Sequence, residues 1–162
     1  LLGLNGYRRN LANLIEQTVV MRDQFKEHRD IQVCHEDSSL GFVTMLRFYP
    51  PELMADPRLY LELSNPSSDT KDISNQVNKY MKEFFTWEES TRMQAGDGVE
   101  YSFSSGYITL SNGVKISGVK LYPVSPHFNE QYARNAVKTI INQKKVFDEN
   151  IRKNGWCKRE DI

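Results

Sequence analysis

No stretch of this 162-residue chain is apolar for long enough to cross a bilayer. Nothing at its start has the basic, apolar and small-residue order of a secretory signal. Neither sign of charge is in excess, since 21 Lys and Arg balance 21 Asp and Glu. The chain therefore lacks the positive bias from which nucleic-acid-binding faces are built, and neither a nucleic acid nor a membrane is an expected partner. Cysteine is scarce. Cys34 and Cys157 form no CxxC pair and no metal-ligand spacing. They read as two reduced thiols in a cytoplasmic protein, with one disulfide joining the ends of the chain as the alternative. The three histidines, His28, His35 and His127, sit in no HExxH pattern and beside no nucleophile signature, and no metal site is expected. There is no GxGxxG after a strand and no GxxxxGK[ST], so the glycine-rich phosphate cradles are missing too.

What is present is the patterning of one α+β domain. Leu4, Tyr7, Leu11, Leu14, Thr18, Met21 and Phe25 recur at steps of three and four, which predicts a long amphipathic helix over about Leu4 to Arg29, with Asn5-Gly6 as a bend or cap near its start. Ile31 to His35 is a short strand candidate. Leu40 to Tyr49 is the strongest strand signal, nearly all apolar, with Arg47 its only charge and Pro50-Pro51 its end. The segment 52–67 is broken by Pro57 and Pro66 and reads as a loop with one short element, an excursion that could cover a partner. Ile73, Val77, Tyr80, Met81 and Phe84 predict a second helix over about Thr70 to Glu88, and 89–98 reads as a polar loop. Val99 to Phe103 and Tyr107 to Leu110 read as two strands separated by Ser104-Ser105-Gly106. Ser111-Asn112-Gly113 predicts a type I′ turn. The chain then returns through Val114 to Ile116, a possible bulge at Gly118, and Val119 to Tyr122. Asn129 caps a last helix over Glu130 to Arg152, Gly155 stops it, and 156–162 is a loose tail. The order predicts a two-layer sandwich: an antiparallel sheet of about four strands with three helices on it.

Four phrases carry a family resemblance. Leu2-Gly3-Leu4-Asn5-Gly6-Tyr7-Arg8 resembles an "LGxxGYR" motif, Leu40 to Pro50 an "xxLVCFRYxP" strand, and Phe103 to Gly113 an "xxGxxxLR" hairpin. Val119 to Ile141 is similar to an "LRxxxxNPxTTxxDI" ending. In this order they resemble the small C-terminal domain of group II pyridoxal-phosphate-dependent amino acid decarboxylases, of fold type I. The resemblance covers nearly the whole chain. It implies that 1–30 is a linking helix from a large domain not included here, and that 31–155 is the small domain. The start at Leu1 rather than Met reads the same way, as a piece of something longer.

The resemblance also implies roles. The arginine that holds a substrate carboxylate in the glutamate enzymes falls at Lys120, six residues before Pro126, and His127 stands near the family's threonines. Both are candidate substrate-binding residues, although lysine loses the bidentate fork of arginine. The cofactor, pyridoxal 5′-phosphate, is bound in the family by a lysine in a His-Lys phrase of the large domain. This chain has no His-Lys dipeptide, so no catalytic or cofactor-binding residue is expected within it. The expected role is to close the cleft over an amino acid substrate and to support a cytoplasmic homodimer, the fragment alone being inactive. The alternative reading is a stand-alone ferredoxin-like module that binds a small ligand or drives oligomerisation.

Overall fold

The computed structural model describes residues 3–34, 41–64, 67–87, 101–110 and 112–155. Within them lie α1 (Gly3–Lys26), β1 (Ile31–Cys34), β2 (Thr44–Phe48), α2 (Leu61–Ser64), α3 (Lys71–Thr86), β3 (Tyr101–Thr109), β4 (Lys115–Pro123) and α4 (Glu130–Val146). The strands form one sheet in the order β1-β2-β4-β3, with every neighbouring pair antiparallel. β2 and β3 therefore run parallel, with β4 inserted between them and α3 as the crossover. This is a split βαβ unit, and the expected antiparallel α+β sandwich is the observed architecture.

Alternation along the strands separates two faces. Ile31, Leu46, Phe48, Phe103, Val119 and Leu121 turn toward the helices and share one core with Met21 and Phe25 of α1, Val77 and Phe84 of α3, and Ala136 and Ile140 of α4. On the other face Cys34, Ile108, Leu110 and Ile116 form a smaller cluster, flanked by Met45 and by Leu63 of α2. α1 and α4 lie side by side in the same direction. Asn13 Nδ2 donates to the Phe128 carbonyl at 2.7 Å, and further along Lys144 meets Asp30 at 2.5 Å. The turns of α1 before Asn13 thus extend past the start of α4 by about 15 Å, at 1.5 Å per residue.

Several expectations need correcting. α1 passes straight through Gly6, so Asn5-Gly6 is no bend. Ser104-Ser105-Gly106 does not interrupt the chain between strands, because β3 runs unbroken from Tyr101 to Thr109. Nor is Gly118 a bulge, since it pairs with Gly106 in continuous register. The glycines serve close approach instead. A Cβ on Gly106 would sit 2.9 Å from Cε of Lys120, and one on Gly118 2.9 Å from Cδ1 of Ile108. The hairpin is longer than a type I′ turn. Leu110 N–H donates to Val114 C=O at 2.8 Å, and Gly113 closes the loop at φ 82°. The excursion after Pro50 folds back on its own domain: Leu53 and Leu59 join the main core, and Glu62 is wholly buried. α4 is capped by the Asn129 side chain, which accepts from Tyr132 N–H at 3.1 Å. It continues as a π-helical turn over Phe147–Arg152, and Gly155 ends it at φ 72°. The predicted loop 89–98, the tail 156–162, His35 and Cys157 lie outside the described residues.

Candidate functional site

Lys120 and His127 are not brought together. Lys120 stands mid-strand on the face away from the helices, in register with Ser104 and Met45, and its chain lies over Gly106. His127 is exposed in the turn before α4, where its backbone N–H donates to Ser125 Oγ at 3.2 Å. Each is accessible to a ligand, and no contact links them.

The built polar chemistry lies elsewhere, and the sequence did not announce it. β2 pairs with β4 over only three positions, Thr44 to Leu46 against Leu121 to Val119. Past that point Ser117 has lost its strand neighbour on one side, and buried backbone groups need partners. Side chains supply them. Asn78 Oδ1 of α3 accepts from Ser117 N–H at 3.1 Å, and Arg47 donates through Nη1 to the Ser117 carbonyl and to Asn78 Oδ1. Through Nη2 Arg47 also pairs with Glu62, and Ser74 Oγ donates to the same carboxylate at 2.9 Å. Both charged side chains are fully buried. This is a plug where the sheet splays, joining β2, β4, α2 and α3.

A second ionic cluster ties the start of β1 to the end of α4. Lys144, only 2 % exposed, reaches Asp30 at 2.5 Å and Asp148 at 2.8 Å, and Tyr80 OH donates to Asp148 at 3.0 Å. The π-helical turn sets Arg152 over the Tyr80 ring and against Glu52. The Arg152 hydrogen bond holds the Glu52 carboxyl below its usual range. Lys144 is the one buried lysine among the described residues, and both of its carboxylates hold it in place.

Burial also governs the acids that stay neutral. It pushes the Cys34 thiol up to about 12, against the opposing pull of Arg47, and the Tyr101 phenol to about 12. Tyr49 and Tyr80 are raised by burial as well, with help from Glu62 and Asp148 respectively. In the unfolded chain a thiol ionises near 9.0 and a phenol near 10.0. Above pH 9 the unfolded chain therefore binds fewer protons than the native one, and stability falls as pH rises. The urea midpoint is expected to hold up to about pH 8.5 and then drop steadily. Cys34→Ala should flatten the first stage of that drop, before the phenols begin to ionise. A midpoint flat through pH 10 would contradict this.

Beside these clusters lies an open groove of about 590 Å³ between α3 and the β3–β4 strands. Its walls are Asn78, Lys79, Met81, Lys82, Phe85 and Thr86, and its floor is Ser105, Gly106, Ser117 and Gly118. Among the described residues no cluster of His, Cys, Asp and Glu could hold a metal ion, and no helix is long and apolar enough to cross a membrane. No protein-family profile and no curated relative matches the chain. The fold and these sites define an antiparallel α+β two-layer domain with a split βαβ core.

Proposed function

We propose that the chain is the small C-terminal lobe of a pyridoxal-phosphate-dependent amino acid decarboxylase, which closes the active-site cleft of a cytoplasmic homodimer. The observation that carries this reading is the stripe of α1. Thr18, Met21 and Phe25 are buried in the domain core, yet the same stripe continues to Tyr7 and Leu4, which are 65 % and 66 % exposed. An apolar seam that runs off its own domain suits a helix shared with an upstream lobe. The four ordered sequence phrases point the same way.

The one buried lysine among the described residues does not fit the cofactor. Lys144 is locked between Asp30 and Asp148, and the sequence has no His-Lys phrase. On this reading the lysine that would hold pyridoxal phosphate belongs to an upstream domain. Lys120 is left to offer one ammonium to a substrate carboxylate, with His127 as a second candidate contact. Expression of the complete reading frame tests the proposal. It should bind pyridoxal phosphate, seen as visible absorbance, and release CO₂ from an acidic, aromatic or diamino amino acid. A complete protein that neither takes up the cofactor nor releases CO₂ overturns it. The stand-alone ferredoxin-like reading, which the split βαβ topology also suits, would then take its place.

A further inference from the structure

We propose that the groove along α3 is a binding site for a small organic acid, a carboxylate on a compact apolar body. It arises from where the core stops. On the helix-facing side, β3 carries Tyr101 and Phe103 and then changes to Ser105, while β4 carries Leu121 and Val119 and then changes to Ser117. α3 does not stop there, so its flank overhangs a floor of serine and glycine. The space of about 590 Å³ falls in the range of roughly 300–1,000 Å³ typical of small-ligand clefts.

The lining selects the ligand. Met81 and Phe85 give an apolar wall. Lys79 and Lys82 give two ammonium groups, one helical turn apart at their closest spacing of three, and among the described residues no lining side chain is acidic. Lys79 has only a 4.0 Å approach to Glu83 and is 79 % exposed, so a bound anion need not displace a strong pair. Asn78 Oδ1 already takes two donors, from Arg47 and Ser117. Its Nδ2, with the hydroxyls of Ser105 and Ser117, completes a set rich in donors. Such a set complements a carboxylate and discriminates against an acid's neutral analogue. The site lies wholly within this chain, so the inference stands apart from the decarboxylase reading, and its test involves no cofactor.

The test is amide chemical-shift mapping of the chain with 3-phenylpropanoate, and with 3-phenylpropanamide as the uncharged control. The carboxylate should shift the amides of Ser105, Gly106, Ser117 and Gly118 saturably, with a Kd of about 1 mM or tighter for a ligand of this size. The amide and the Lys79→Glu/Lys82→Glu variant should each bind at least about tenfold more weakly. Ser105→Phe, which fills the groove from an exposed strand position, should abolish the shifts. All three changed side chains are exposed, so the fold survives the substitutions. Equal binding of acid and amide, shifts that fail to saturate, or unchanged binding in Ser105→Phe would each overturn the proposal.

Discussion

Arg47→Met is expected to destabilise the chain by about 3–5 kcal/mol, the range for breaking one half of a buried ion pair. The reason is what it leaves behind. Glu62 stays fully buried with its cationic partner gone and, among the described residues, only Ser74 Oγ donating to it. The Ser117 carbonyl loses the donor that replaces a strand neighbour at the point where β2 stops pairing with β4. Arg47→Met/Glu62→Leu should recover the share due to the stranded carboxylate. It should not recover the share due to Ser117, and a deficit of about 1–3 kcal/mol should remain for that unpaired buried group. As a control, Arg134→Met breaks an exposed pair with Glu130, and it should cost less than about 0.5 kcal/mol. Urea unfolding of the wild-type protein, the single and double variants and the control measures these differences. A double variant no more stable than the single one would show that the pair is not the source of the loss.

This plug also shows where sequence reading runs out. Helix positions were legible because a period of three and four is local: Thr18, Met21 and Phe25 of α1, and Ala133, Ala136 and Ile140 of α4, are buried as their spacing requires. The N-cap at Asn129 and the stop at Gly155 were legible for the same reason. Arg47 was visible only as a lone charge in an apolar strand. Its partner lies fifteen residues away, in a segment broken by prolines, and no periodicity marks Glu62 as buried. The glycines misled for a related reason. Gly106 and Gly118 resemble breaks when read along the chain, but the space they leave is filled from neighbouring strands by Lys120 and Ile108. That relation exists only once the register is set. The groove was likewise invisible, because its floor and wall come from two strands and a helix far apart in sequence. Lys120 and His127 were named from a resemblance, and both prove accessible but separate.

The aromatic cluster at the end of α3 lies in the main core, and that position predicts the other large effect. Among the described residues, Phe84 meets Phe48 of β2 at 5.5 Å, Phe103 of β3 at 6.4 Å, Trp87 at 6.1 Å and Phe147 of the π-helical turn at 5.4 Å, the last edge-to-face. It is a ring at which the sheet, α3 and the π-helical turn after α4 all meet, and it is fully buried. Phe84→Ala should therefore cost about 3–5 kcal/mol, as a cavity that three separate elements would have to move together to fill. Phe84→Leu keeps most of the volume and should cost about 1–1.5 kcal/mol. Phe85, the next residue, stacks on Phe103 at 5.7 Å but is only partly buried and borders the groove. Phe85→Ala should lose less than half as much as Phe84→Ala, because solvent already reaches one side of the ring and little new cavity forms. Urea unfolding followed by tryptophan fluorescence measures all three, since Trp87 packs on both Phe84 and Phe147. Equal losses for Phe84→Ala and Phe85→Ala would mean that the contact between sheet, α3 and α4 does not run through Phe84.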